Sequence, residues 1–375
     1  MVDPETLAPK ERPLDLKQEG ATHLFLPEHE VGQKGPAHRR AVFYNPAMAL
    51  SRDMSVSVAT AEAARQGHKL RVWDALAATG VRGLRLLTET QAVESVLATD
   101  QSLGAFRTLE QNAAREGSGR LVPRWHDAET APERRSFDLV DIDPFGTPVP
   151  FLRAGVEAVV DGGMLAVTAT DMAVLAGPET QTCLTRYGAR AVRGYLSREG
   201  AMRILIAKIR AEAQVLNRTA VPQLSVIGGY HIRGYFRILA GDPTGEHGVS
   251  QVPFEGYEGP PLLNPRPSGP LWTGKLHDRD FVRSLPEIAH PGEEKAFPKL
   301  LTTLKSEAEV DCLFYHETGV LSKRLHLRSP PSRETIFEAV RAEGARITET
   351  HASPSGWRTE LPLPRLEEIF RRIDR

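Results

Sequence analysis

The sequence predicts an α/β protein, a parallel doubly wound sheet followed by a second, smaller domain. Short apolar runs alternate with helical patterns from residue 70 to 170, as repeated strand–helix units do. Four of those runs end on or beside an acid, at Asp74, Asp100, Asp127 and Asp143. In open α/β sheets ligands sit outside the carboxyl ends of the strands, so acids there point to a site. From about Asp280 the alternation gives way to helices with a short terminal hairpin. At 375 residues two domains are expected, dividing at 1–278 and 279–375.

Taken in order, residues 1–30 carry Pro4, Pro9, Pro13 and Pro27 among charges and read as an arm with a short strand at 23–26. A basic, turn-rich segment, 34–40, leads into Val42-Phe43-Tyr44-Asn45-Pro46. Asn45-Pro46 signals a helix start, and a helix over 47–64 carries Arg52 and Asp53. Strands are expected at 70–74, 95–100, 121–125, 138–142 and 163–170, with helices at 80–89, 106–114 and 151–160. A long amphipathic helix over 198–216 precedes an antiparallel pair, 224–227 with 235–239, closing the sheet edge. Residues 241–270, rich in Gly and Pro, read as irregular surface structure. Helices follow at 281–289, 297–308, 313–322 and 332–343, the last with a capping-box-like start at Ser332, and then a hairpin of 345–350 with 357–359.

Composition narrows the class. With 41% hydrophobic and 25% charged residues the chain can bury sizeable cores. Cys183 and Cys312 are too few for a disulfide framework or a four-thiolate zinc site, which fits a reducing cytoplasm. The charged, proline-bearing N-terminus and the lack of about 18 consecutive apolar residues support neither a secretory signal nor a membrane span. A net charge of −1 confines any polyanion contact to local patches. Arg186, Arg190, Arg193, Arg198, Arg203, Lys208 and Arg210, interleaved with Tyr187 and Tyr195, form one such patch, and Lys323, Arg324, Arg328 and Arg333 another.

The stretch that organises the chain is 137–148. Its apolar strand runs into Asp143, then Pro144, which cannot extend a sheet ladder, then the aromatic Phe145. A carboxylate that accepts a proton, a carbonyl that accepts a hydrogen bond and a ring that stacks suit an exocyclic amine on a nucleobase. Upstream, residues 73–83 give a strand, an acid, a small-residue loop and a glycine-bearing turn into a helix. Gly80 lets backbone approach a ligand, and the helix start offers free N–H groups. The dinucleotide fingerprint G-x-G-x-x-G is absent. With Asp74 before it and one Gly80, the loop resembles that of S-adenosylmethionine methyltransferases, whose ligand has no pyrophosphate to cradle. Asp100 lies where a carboxylate accepts from ribose hydroxyls, and Asp127 where one accepts from the adenine amine.

Asp143-Pro144-Phe145 resembles the Asp/Asn-Pro-Pro-aromatic motif of amino-methyltransferases, with the aromatic one place early. Residues 42–53, 74–83, 141–148 and 167–171, with 269–274 and 350–356, together resemble the tRNA (guanine-N2)-dimethyltransferase family that modifies guanine 26, particularly its archaeal members. That resemblance implies a class I S-adenosylmethionine methyltransferase, Rossmann-like, with an α+β C-terminal domain that binds tRNA. It implies cofactor contacts at Arg52, Arg82, Asp100, Asp127 and Ala128, a catalytic acid at Asp143 and pocket aromatics at Phe43 and Phe145. Some members bind zinc through cysteines at about 240–265; this chain has none there, so no structural metal is expected. His316, His326 and His351 read as isolated structural residues. Alternatives are a related methyltransferase acting on DNA adenine or a protein amide, an NAD oxidoreductase disfavoured by the missing glycines, and a silent RNA-binding module.

Overall fold

The computed structural model describes residues 14–27, 44–241, 248–263 and 266–374; Phe43 lies outside them. The chain forms two compact units, Met1–Ala128 with Ile288–Glu293 and Glu129–Glu287 with Glu294–Arg375.

In the first unit, the arm supplies an antiparallel hairpin, β1 (Leu14–Glu19) with β2 (Thr22–Pro27); only the second strand was expected from the sequence. The Asn45 side chain accepts from the Ala47 N–H at 3.0 Å, capping a short 3-10 turn, Pro46–Met48, ahead of helix α1 (Ala49–Gln66). Strands β3 (Leu70–Asp74), β4 (Val93–Asp100) and β5 (Leu121–Trp125) lie parallel in the order β5-β4-β3. Helices α2 (Val81–Glu89) and α3 (Leu103–Glu116) connect them, as parallel pairing requires. The hairpin is fastened by buried charge. Glu19 receives Arg52 and Arg85, and Arg85 also reaches Asp53 and Glu89. Removing one member would leave a buried charge uncompensated.

In the second unit, β6 (Phe137–Ile142) is buried along its whole length. Helix α4 (Leu152–Ala158) passes without a loop into β7 (Val159–Ala169), so the expected helix ends two residues early and the strand begins sooner. After α5 (Met172–Leu175), α6 (Thr180–Tyr187) and α7 (Ser197–Val215) come β8 (Arg218–Ile227) and β9 (Ile232–Ala240). β6 and β7 are parallel, while β7–β9 and β9–β8 are antiparallel, so β8 is an edge strand. The supposedly irregular 241–270 segment contributes β10 (Val249–Val252), which pairs with β11 (Ser268–Trp272). Helix α8 (Arg279–Ser284) stops short of residue 289 because Pro286 disfavours helix at the residue before it.

Beyond α9 (Ala296–Glu307), the helix expected over 313–322 begins as a strand, β12 (His316–Glu317), and continues as α10 (Thr318–Arg324). Helix α11 (Arg333–Ala342) starts at the Ser332 cap, which accepts from the Thr335 N–H at 3.2 Å. β13 (Ile347–Glu349) and β14 (Gly356–Thr359) complete a sheet of order β12-β14-β13. Helix α12 (Leu363–Ile373), absent from the sequence reading, packs Leu366, Ile369 and Phe370 onto Trp357, Ile336 and Val340.

The exposed ladder of edge strand β8 is covered by imidazoles, one way of blunting a free sheet edge. The N–H groups of Ser225 and Ile227 donate to His277 Nδ1 at 3.5 Å and to His351 Nε2 at 3.0 Å. His351 is therefore not isolated, as the sequence suggested. No described helix is long and apolar enough to cross a membrane.

Candidate active site

In the first unit the sequence-predicted cofactor residues gather around the loop after β3. Asp74 ends that strand and is buried. The Thr99 hydroxyl donates to the Ala75 carbonyl at 2.8 Å, and the Ala77 N–H donates to the Thr99 carbonyl at 2.8 Å. Ala78 and Gly80 have φ of +48° and +79°, a left-handed geometry that costs a side chain strain. A Cβ on Gly80 would also stand 2.6 Å from Leu109 Cδ1, and one on Gly83 2.8 Å from Leu121 Cδ1. The loop is thus pressed against its own sheet and helices, and its backbone forms the cradle.

Asp100 closes this cradle. Its two oxygens receive the N–H groups of Ala78, at 3.0 Å, and Ser102, at 2.8 Å. Burial raises its pKa, against the lowering effect of those two bonds. Arg82 donates to the Ser55 hydroxyl at 2.6 Å from a buried position. Asp127 is exposed beyond β5, and Ala128 beside it is buried. Arg52 reaches Glu19 and the Asn45 carbonyl, a charge partner the sequence did not reveal. The donor set fits a nucleoside with an amino-acid tail: carboxylates for hydroxyls, backbone for an adenine edge, guanidinium for a carboxylate.

In the second unit, the Asp143-Pro144-Phe145 segment leaves the buried end of β6. Asp143 is half-buried, Pro144 is buried and the Phe145 ring is 54% exposed. Behind it, Asp141 pairs with the fully buried Arg233, which also donates to Thr168 Oγ1 at 2.7 Å and to Tyr235 Oη at 2.8 Å. Burial acts to lower the Arg233 pKa, but the charges of Asp141 and Asp143 hold it above the usual range. Downstream, Gly146 and Thr170 exchange two bonds. The Gly146 N–H donates to Thr170 Oγ1 at 2.7 Å, and the Thr170 N–H to the Gly146 carbonyl at 2.9 Å. Sequence reasoning passed over Arg233 and Thr170 as participants; a buried arginine inside a strand was the available signal.

A family model described as N2,N2-dimethylguanosine tRNA methyltransferase matches residues 25–255 and 263–371. The chain belongs to that family. It is an S-adenosylmethionine-dependent tRNA guanine-N2 methyltransferase with the class I fold. A relative from Thermococcus kodakarensis, named tRNA (guanine(26)-N(2))-dimethyltransferase, is 33% identical over 95% of this chain and 98% of its own. One from Aquifex aeolicus, whose name specifies guanines 26 and 27, is 30% identical over 96% of both chains. The solved structure of Trm1 from Pyrococcus horikoshii with S-adenosyl-L-methionine is similar with a TM-score of 0.81 and 29% identity, covering 95% of this chain and 99% of that one.

Several cations expected to face phosphate are paired with carboxylates of the enzyme itself. Arg203 is fully buried against Glu199. Arg186 pairs with Asp171 and Lys208 with Glu212. Tyr187 is buried rather than interleaved on a surface. Arg193, Arg198, Lys323, Arg324 and Arg328 remain exposed.

His277, Glu307 and His351 bring potential metal-ligating atoms within 4.8 Å of one another. The outer nitrogens of both rings accept backbone N–H groups, whereas a metal-bound histidine donates from its outer nitrogen. His351 Nε2 carries no proton, so its Nδ1–H bonds Glu307. His351 thus braces the β8 edge against Glu307, while the Nε2 of His277 is buried without a hydrogen-bond partner.

Proposed function

We propose that this enzyme methylates guanine 26 of tRNA on its exocyclic N2, adding one and then two methyl groups, with Asp143 as general base. The half-buried Asp143 carboxylate beside the exposed Phe145 ring carries this reading. The guanine amine is a poor nucleophile because its lone pair is delocalised into the ring. Bound S-adenosylmethionine supplies a methyl group made electrophilic by its sulfonium. Asp143 would accept a hydrogen bond from N2–H and take that proton as the amine attacks, while the Pro144 carbonyl orients the second N–H. Phe145 would stack on a base turned out of its helix. Once monomethylated, the amine keeps one N–H, which Asp143 can accept in a second round.

Arg52, Asp74, Gly80, Arg82, Asp100, Asp127 and Ala128 are proposed to hold the cofactor. Residues 279–375 are proposed to bind tRNA, with the exposed cations Lys323, Arg324 and Arg328 as phosphate contacts, joined by Arg193 and Arg198 from outside that range. Methylated-nucleoside analysis of tRNA incubated with enzyme and cofactor tests the reading. Mono- and dimethylguanosine should form, and replacing guanine 26 should abolish both. Product surviving that replacement would reassign the site. Affinity for tRNA should fall steeply with salt; a flat response would remove the phosphate contacts.

A further inference from the structure

We infer that Tyr187 is a positioning residue for methyl transfer, holding the loop that carries Asp143 through a directed chain of hydroxyl hydrogen bonds ending on Asp171. This rests on the reading of Asp143 as the base.

Tyr187 ends helix α6 with its ring 5% exposed. Its hydroxyl lies 2.8 and 2.9 Å from the two Asp171 oxygens and 2.9 Å from Thr147 Oγ1. A phenol has one proton, and a carboxylate is the stronger acceptor, so the Tyr187 proton goes to Asp171. The Thr147 hydroxyl must then donate to Tyr187. That leaves Thr147 Oγ1 to receive the Val149 N–H, at 3.4 Å. Donation runs in one direction, from Val149 through Thr147 and Tyr187 to Asp171, and each bond in such a chain polarises the next. Arg186 balances the terminal carboxylate from outside at 2.9 Å. Burial, with the Asp171 charge adding to it, keeps the phenol protonated by raising its pKa well above the usual value.

This chain matters because of where it grips. Residues 141 and 142 are fixed in the ladder with β7, Gly146 is fixed by its two bonds to Thr170, and Thr147 by Tyr187. Only 143–145 lie between, and they are the residues proposed to meet the base. Gly146 has φ of +89°, so the bend after Phe145 depends on the anchors that follow it. A carboxylate held on a short bracketed segment is aimed before substrate arrives, and loss of such aim by about 1 Å costs on the order of 100-fold.

The test is steady-state kinetics on full-length enzyme with tRNA and S-adenosylmethionine, alongside calorimetric cofactor binding and thermal denaturation. Tyr187→Phe keeps the ring and removes the link. It should lower kcat roughly 10- to 100-fold, with both KM values and cofactor affinity within about twofold. Thr147→Val should do the same, and Thr147→Ser should recover most of the rate. Combining Tyr187→Phe with Thr147→Val should cost no more than the worse single change, because both cut one chain. Wild-type kcat in Tyr187→Phe, additive losses, or a loss shared equally with cofactor affinity would each overturn the inference. If Tyr187→Phe does not fold, the Thr147→Val and Thr147→Ser pair decides by the same readout. Full turnover in Asp143→Ala would instead sink the base assignment, a separate result.

Discussion

The proposed cofactor loop after β3 and the proposed reaction loop after β6 both follow parallel strands and both turn through a glycine at positive φ, yet they are held in different ways. Around Gly80 contact adds to hydrogen bonding: an added Cβ would press on Leu109, Thr99 ties Ala75 and Ala77, and Asp100 receives the Ala78 and Ser102 N–H groups. Around Gly146 an added Cβ would meet nothing within 4 Å. There the constraint is a set of hydrogen bonds from Thr170, just after β7, and from α6, with the Phe145 ring 54% exposed. A site proposed to admit a large planar base cannot be packed shut, so polar anchors would aim it. A site for a small molecule can be moulded by sterics.

The largest expected effect breaks the two regions apart. Asp143→Ala should lose about 100- to 10,000-fold in methyl transfer while cofactor affinity by calorimetry stays as in the parent. Unchanged turnover would remove Asp143 from the mechanism. Phe145→Ala should reduce kcat/KM for tRNA by roughly 1–3 kcal/mol, the value of one stacked base, with Phe145→Tyr close to the parent. An Ala variant at full efficiency would make the exposed ring incidental.

A pH series probes the β8 edge and the small C-terminal sheet. Burial pushes His277 and His316 down to about 3, so both stay neutral in the folded state. Below an ordinary value of about 6.5 the unfolded chain binds protons that the folded chain does not, so stability falls with falling pH. Each histidine should remove about 2 kcal/mol by pH 5, read from denaturation midpoints at pH 7.5 and 5. His277→Gln should flatten that slope; an unchanged slope would show that His277 titrates normally in the folded enzyme.

The smallest effect sharpens the comparison itself. Both glycines pay about 1–2 kcal/mol of conformational strain on conversion to Ala, but Gly80→Ala also collides with Leu109. Gly80→Ala should therefore weaken S-adenosylmethionine binding about tenfold or more, whereas Gly146→Ala should leave it unaltered and slow turnover only severalfold. Equal effects on cofactor binding would erase the distinction.

Local chemistry made the strand–helix alternation, the four acids and the Asp143-Pro144-Phe145 segment legible, because each is written in consecutive residues whose types are constrained by backbone geometry and by the reaction. The α12 helix was missed though its pattern is local, and the β10–β11 pairing was hidden because glycine and proline mark turns without saying what they join. Arg52 and Arg203 show the sharper limit. As residues they are cations free to meet a ligand or phosphate, and nothing nearby in sequence assigns Arg52 to Glu19, 33 residues away, or reveals that the Arg203–Glu199 pair is fully buried and shared with Arg358.

The sequence by itself determined the fold class, the family and the order in which the acids arrive at strand ends, since strand period and motif spacing are properties of neighbouring residues. Only the tertiary structure decided which charges are consumed internally, which imidazoles cap the β8 edge and how Tyr187 reaches Thr147. Those pairings join positions up to 159 residues apart, and a carboxylate or hydroxyl takes whichever partner the packing of distant elements brings within about 3 Å.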